Sequence, residues 1–417
     1  MNGPGPLILT IDIGTGSARA ALVDGTGVVS ALSAVSHATH SPGHGWVEQR
    51  PDDWWSGAVS AIRATLAEAA GDARRIEAVV ACGQMHAPVL IDKAGQLVRQ
   101  RVPLWNDKRP AGVAQEINDA MAQDRFPTAI NPATAAWPGI KLRWTALHDP
   151  QALDAAWRLL MPKDYLNFRL TGETAMDWIE AGSSFMADPD HMSWSPAAMR
   201  ALELPDSLLP PLLKPQDRVG QVTRQAAEAT GLALGLPVFT GAGDFPAATL
   251  GSGVTRGDQL SDVTGTSFLL TRPVLSPLRH PDVMNLALAS GGWGAFAVVD
   301  AAGDAIRWAS RALDRETRSY ADMSAEAATV VAGADGLIFL PYLTGERLGQ
   351  GHSSRAAFLG LTAGHGAAHL HRAVMEGVVL AMHEAFRPIR EATSPAREIV
   401  SAAGGARSGG ALGSRRE

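Results

Sequence analysis

The chain has 417 residues, room for about two to three domains, and its balance of 46% hydrophobic to 19% charged residues can fill a sizeable core. A net charge of -6 does not point to a polybasic nucleic-acid face, and the single cysteine, Cys82, excludes an internal disulfide and fits a reducing compartment. No apolar run is long enough to span a bilayer and Met1 to Pro6 lacks the basic region of a signal peptide, so a soluble cytoplasmic protein without membrane or nucleic-acid partners is expected.

The first elements read strand, turn, strand: Leu7 to Ile13, then Gly14-Thr15-Gly16, then Ala18 to Val23, with Asp24-Gly25 as a second hairpin turn. Pro51-Asp52-Asp53 opens a helix whose apolar face is expected at Trp55, Val59, Ile62 and Leu66, with Gly71 placed to end it. A buried strand, Ile76 to Ala81, runs into Cys82-Gly83-Gln84-Met85-His86. From Asn106 to Leu213 the chain is mostly helical with proline-rich breaks, and its tryptophans fit helix packing better than ligand contact. A second strand-rich block starts at Leu236 to Thr240, contains Gln259 to Leu270, and continues with a strand from Trp293 to Val299. A helix from His369 to Phe386 sets Leu370, Val374, Val378, Met382 and Phe386 at helical spacing, and Ile399-Val400 leads into Ala403-Gly404-Gly405-Ala406.

One pattern recurs: Asp12-Ile13-Gly14-Thr15-Gly16-Ser17 and Asp262-Val263-Thr264-Gly265-Thr266-Ser267 are both glycine and hydroxyl turns between apolar strands. Each opens a block of mixed strands and helices, which points to two related α/β halves facing each other across a cleft. Such turns expose backbone N–H groups and hydroxyls that can cradle phosphate oxygens. An aspartate there can face a magnesium ion or its water shell, and Arg19 can add charge on phosphates. Taken alone, each turn is more simply an ordinary hairpin. The chain lacks the Gly-x-x-x-x-Gly-Lys-Ser/Thr, Gly-x-Gly-x-x-Gly, Gly-x-Ser-x-Gly and His-Glu-x-x-His patterns, and His383-Glu384 reads as helix surface.

Taken together, the motifs resemble the FGGY carbohydrate kinases, with the xylulokinase branch the nearest pattern. Asp12-Ile13-Gly14-Thr15 through Arg19 resembles the first phosphate motif, and Gly45-Trp46-Val47-Glu48-Gln49-Arg50-Pro51 with Trp54-Trp55 the segment before the first long helix. Gly83-Gln84-Met85-His86 and Leu104-Trp105-Asn106-Asp107-Lys108-Arg109 resemble sugar-side loops. Gly241-Ala242-Gly243-Asp244, Pro341 to Arg347, and Ala356 to Glu376 follow in the family's order over nearly the whole chain.

The resemblance implies an α/β fold of two actin-like, ribonuclease-H-like domains flanking a cleft, with residues 1–245 on the sugar side and 246–417 on the nucleotide side. It implies ATP and Mg²⁺ as cofactors and a small sugar as substrate. Asp244 would be the catalytic base and Asp12 would hold Mg²⁺ through water. Met85, His86, Trp105, Asn106 and Asp107 would meet the sugar. Thr15, Ser17, Arg19, Gly265, Thr266, Gly404 and Gly405 would meet ATP. A homodimer is held open.

Simpler readings stand beside these roles. By spacing alone Asp244 is a turn residue. His86 reads equally as structural or ligand-binding, and its place past a strand end favours a crevice. Asp107 could instead cap a helix ahead of Pro110, Glu346 and Arg347 could form a structural ion pair, and Cys82 reads as an inert core thiol. Phe245 stands where relatives carry an amide that can bond a sugar hydroxyl, Ala87 replaces a glycine, and no proline follows Gly345-Glu346-Arg347.

The match stops near Ser408, and Gly409 to Glu417 has no apolar periodicity, so the second domain is expected to be truncated at its C-terminus. Two functions follow. One is ATP-dependent phosphorylation of a ketopentose such as D-xylulose or a related sugar or polyol. The other is a catalytically impaired relative that binds sugar or nucleotide without turnover. The sugar-side motifs argue against a third, an actin-like or chaperone ATPase.

Overall fold

The computed structural model describes residues 5–69, 71–120, 130–265, 267–313, 319–346 and 354–402. Thr266, Arg347, Gly404, Gly405 and the tail beyond Ser408 lie outside these residues. The chain divides into two compact units, Met1–Ala248 and Thr249–Glu417. The expected break after Phe245 falls three residues earlier.

Elements of the main sheets and of the site are labelled in chain order. The first unit carries β1 (Leu7–Ile13), β2 (Ser17–Asp24), β3 (Val29–Ser36), α1 (Pro51–Glu68) and β4 (Ile76–Gly83). It continues with α2 (Pro138–His148), α3 (Pro162–Thr171), α4 (Trp178–Gly182), β5 (Arg218–Gln221) and β6 (Pro237–Gly243), after which α5 (Asp244–Gly251) runs across the boundary at Ala248. The six strands form one sheet in the order β5-β6-β4-β1-β2-β3. β1, β4 and β6 run parallel, β2 returns antiparallel to β1, and β3 pairs antiparallel with β2.

On β1 the apolar side chains of Leu7, Leu9, Ile11 and Ile13 alternate into the core, as a strand of period two requires. Helix α1 starts with Pro51 in its first turn, where a missing N–H costs nothing, and with Asp52 and Asp53 at its positive end. Its buried stripe is Trp54, Ala58, Ala61, Ile62 and Thr65. The expected stripe is therefore rotated: Trp55, Val59 and Leu66 are only half-buried. Between the large Trp54 and Ile62, the small Gly57, Ala58 and Ala61 let the helix lie close on the sheet, where a Cβ at Gly57 would sit 3.2 Å from Ala18 Cβ.

The second unit carries β7 (Gln259–Thr264), β8 (Phe268–Val274), β9 (Met284–Ala287), β10 (Trp293–Val299), α6 (Ala302–Leu313), α7 (Ala367–Ala385) and β11 (Glu398–Ala402). Its sheet runs β9-β10-β8-β7-β11. Every residue of β10 is buried, and Val374, Val378 and Met382 of α7 pack in the same core as Phe268, Ala295, Ala297 and Val299. Within each unit the strand that carries the glycine turn has the same neighbours. β1 pairs antiparallel with β2 and parallel with β4, and β7 pairs antiparallel with β8 and parallel with β11. The repeated turn motif thus sits at equivalent places in two similar sheets.

Candidate active site

The parallel strands β1, β4 and β6 end level with one another: Ile13 is opposite Gly83, and Gly83 opposite Gly243. The carboxyl ends of parallel strands are where open α/β sheets take ligands. Asp12, the segment Gly83-Gln84-Met85-His86 and Asp244 all arrive at this edge.

The turn after β1 is held tightly. Gly14 N–H donates to Ser17 O at 3.0 Å, and His37 Nε2 lies 2.9 Å from Gly14 O. Gln49 is fully buried and links four groups. Its Nε2 donates to Thr15 O and Thr39 Oγ1, each at 2.7 Å, and its Oε1 accepts from Trp54 Nε1 and Gln84 Nε2, each at 2.8 Å. One amide therefore ties the turn to the loop after β4. Asp12 faces Arg19 across the hairpin, with Arg19 Nη1 at 2.9 Å from Asp12 Oδ2. Cys82 Sγ lies 3.7 Å from Asp12 Oδ1, and burial together with the charges of Asp12 and Asp244 pushes the thiol up to about 12. Cys82 is thus a thiol and not a thiolate, as the reading of an inert cysteine anticipates.

Asp244 directly follows β6 and opens α5. The strand reaches it through an irregularity between Phe239 and Ala242, where Gly241 takes φ +72° and donates to Pro215 O. A Cβ at Gly241 would lie 1.8 Å from Ala81 O, so only glycine fits this bulge. Asp244 Oδ1 accepts from Phe245 N–H at 2.7 Å. Burial, outweighing that bond and aided by the charge of Asp12, raises the Asp244 carboxyl to about 6.

Met85 is buried against β6: a Cβ at Gly243 would lie 2.5 Å from Met85 Cγ. His86 is half-buried between buried neighbours and takes φ +67°, a conformation that side-chain-bearing residues rarely adopt. Its ring meets Trp137 edge-on at 5.0 Å between centroids.

The second loop brings Trp105 beside the first turn, with Nε1 3.3 Å from Thr15 Oγ1. Asn106 Oδ1 is a buried acceptor with no hydrogen-bond partner among the described residues. Asp107 is wholly buried. Its Oδ2 accepts from Val47 N–H and Arg109 Nη2, each at 2.7 Å, and its Oδ1 from Arg109 N–H and Nε. Asp107 thus organises the loop that presents Trp105 and Asn106, and does not cap the helix that begins at Ala111.

In the second unit, Gly265 N–H donates to Ser267 O at 2.9 Å, a tighter closure than the Gly14 to Ser17 bond of the first turn. Ser401 Oγ lies 3.2 Å from Asp262 Oδ2, in the place that Cys82 holds beside Asp12. Gly303, in the first turn of α6, packs on this turn: a Cβ there would lie 2.0 Å from Gly265 O. Glu346 carboxylate oxygens accept from Asp300 N–H at 3.1 and 3.3 Å.

The chain matches known proteins over both units. Residues 7–251 match the N-terminal domain and residues 262–411 the C-terminal domain of the FGGY family of carbohydrate kinases. The chain belongs to the FGGY family of carbohydrate kinases. It is 28% identical to the xylulose kinase of Lactococcus lactis over 96% of this chain and 80% of that one. It is 30% identical to the xylulose kinase of Klebsiella pneumoniae over 96% of this chain and 82% of the other. The solved xylulose kinase of Rhodospirillum rubrum superposes with a TM-score of 0.89 at 28% identity, covering 96% of this chain and 82% of that one. The protein is an ATP-dependent sugar kinase with the two-domain FGGY fold.

For this kinase the donor set near the first turn bears on Mg²⁺. Among the described residues no group of three or more His, Cys, Asp or Glu could cage a metal. A single carboxylate at Asp12 is the donor set expected for an ion held mainly by nucleotide phosphates and water, so the residues fit. No helix among the described residues is long and apolar enough to cross a membrane.

Sequence reasoning missed His37, Gln49, Lys141, Glu180 and Gly303. Gln49 lies inside a family-like segment, which was its signal. The others are isolated residues whose role comes only from packing at long sequence separation.

Proposed function

We propose that this FGGY kinase transfers the γ-phosphoryl group of Mg-ATP to a hydroxyl of a ketopentose, D-xylulose or a related sugar or polyol. The observation that carries the reading is Asp244. It ends a parallel strand beside Asp12, is half-buried, and ionises near 6, close to the working pH that suits a general base. Asp244 would accept the proton of the attacking sugar hydroxyl, and Phe245 N–H would keep the carboxylate aimed. Met85, His86, Trp105 and Asn106 would line the sugar side, where Asn106 Oδ1 offers an acceptor for a hydroxyl. Asp107 would contribute by holding that loop in shape.

Thr15, Ser17 and Arg19 would bind phosphate oxygens on the first turn, with Gly265 and Thr266 on the second and Gly404 and Gly405 beside the nucleoside. Arg19 would exchange its exposed pair with Asp12, worth little in water, for phosphate. Asp12 would then be free to orient the water shell of Mg²⁺, which supplies charge neutralisation for the phosphoryl group when bound. Positioning and charge suffice for a loose transition state, so no covalent nucleophile is required of the chain.

ADP release measured on ketoses, polyols and related sugars tests this. Sugar-dependent turnover, greatest with a ketopentose and cut at least about a hundredfold by Asp244→Asn, is expected. Tight sugar binding without turnover by folded protein would instead establish the non-catalytic reading.

A further inference from the structure

Two buried side chains of opposite type grip the peptide of His86. Lys141 Nζ donates to His86 O at 2.7 Å and to Ala136 O at 2.7 Å. Glu180 Oε1 accepts from His86 N–H at 3.2 Å. Both side chains are 1% exposed, in a protein where lysine and glutamate normally face water. The peptide between them is the one with φ +67°. A strained backbone persists only where its surroundings over-determine it, and here both hydrogen-bonding groups of one residue are fixed by separate helices.

We propose that Lys141 and Glu180 are positioning residues that clamp His86 in its left-handed conformation and thereby aim its ring at the sugar. Helix α2 supplies two parts of the device: Trp137, immediately before the helix, walls the ring, and Lys141, one turn later, holds the carbonyl. Helix α4 supplies the third part. Its N-cap Asp177 accepts from Ile179 N–H at 2.9 Å and Glu180 N–H at 3.0 Å, which fixes the start of the short helix that carries Glu180. Lys163 then anchors Asp177, with Nζ 2.6 Å from Asp177 Oδ2, and also pairs with Asp164.

The clamp does not depend on full charge at either end. Burial drives the Lys141 amine down to about 7, against the pull of Asp107 and with the push of Arg109, yet a neutral amine still donates. Burial raises the Glu180 carboxyl well above its ordinary range, with Lys163 opposing and Asp177 and Asp164 adding, yet its Oε1 still accepts. Met85 and Ala87 on either side of His86 are buried, so His86 is the half-buried point of the segment.

The inference rests on His86 contacting the sugar, so the test includes His86→Ala. Steady-state kinetics on the full chain would compare Lys141→Met, Glu180→Leu, Glu180→Gln, His86→Ala and the double variant Lys141→Met with His86→Ala. Lys141→Met and Glu180→Leu should raise the sugar KM by about ten- to a hundredfold while the ATP KM stays within about twofold. Glu180→Gln keeps an acceptor oxygen and should recover most of the loss. In the His86→Ala background, Lys141→Met should add nothing, because its effect passes through His86. Unchanged kinetics for His86→Ala would sink the sugar-side reading itself. An effect of His86→Ala with none from Lys141→Met and Glu180→Leu would overturn the clamp alone. Loss of fold in both of those variants, or equal rises in the sugar and ATP KM, would assign the pair to general core stability and likewise overturn it.

Discussion

Asp244 combines a functional charge with a folding cost. Its carboxyl ionises near 6 in the folded chain and near 3.8 without the fold, so stability falls as pH rises between those values. The whole penalty above that window is about 3 kcal/mol at most. Asp244→Asn removes it while keeping the shape. The variant should lose about a hundred- to ten-thousandfold in kcat, yet melt several degrees higher than the parent near neutral pH, an advantage that shrinks toward about pH 4. Thermal melts at both pH values check this, and equal melting at neutral pH would contradict the buried-charge account. The same ionisation predicts the rate profile of the parent. The base works only when deprotonated, so kcat/KM should fall about tenfold for each pH step below about 6. Gln49 is the opposite kind of residue, polar and buried but with all its bonds made. Gln49→Leu would strand Trp54 Nε1, Gln84 Nε2 and Thr15 O, and about 2–4 kcal/mol of stability should be lost in chemical denaturation.

Elements decide where these residues stand. The bulge at Gly241 shifts β6 by an extra residue against β4 and so sets the position of Asp244. Gly241→Ala would drive a Cβ into Ala81 O and hold a side-chain residue at φ +72°. Its cost should be about 3 kcal/mol or more, seen as a lower denaturation midpoint or insoluble protein. A midpoint unchanged from the parent would show that the bulge is not fixed. Gly303→Ala in the second unit would collide with Gly265 O, so its expected mark is a raised KM for ATP with the sugar KM unaltered. These contacts also explain what could be read from the sequence. Strand, turn, strand around Asp12 and again around Asp262 was legible because glycine turns and period-two apolar runs are local signals. The stripe of α1 lies one position round from the expected one, on Trp54, Ala58 and Ala61 in place of Trp55 and Val59, because alanines carry little weight in an apolar periodicity. The family resemblance singles out Asp244, Met85 and His86, which stand just past the ends of β6 and β4. It does not single out Lys141 and Glu180, since each meets His86 across more than fifty residues of chain.

At the scale of the molecule, two separate cores support two separate sets of residues. One core is built on β1, α1, β4 and β6, and the other on β8, β10, α6 and α7. The proposed sugar-side residues Met85, His86, Trp105, Asn106 and Asp244 all belong to the first unit. Ligand binding stabilises the state it binds, by about 2.7 kcal/mol at a free concentration about a hundredfold above Kd. That free energy enters the local opening equilibria of the unit that makes the contacts. A saturating ketopentose without nucleotide should therefore slow amide exchange in peptides spanning Gly83–Ala87 and Leu104–Arg109. Peptides spanning Gln259–Thr264 and Phe268–Val274 should exchange as in the free protein. Hydrogen exchange read by mass spectrometry gives both results in one experiment. Protection confined to the second unit would place the sugar on the wrong half of the chain and remove the basis for assigning Asp244 as the base.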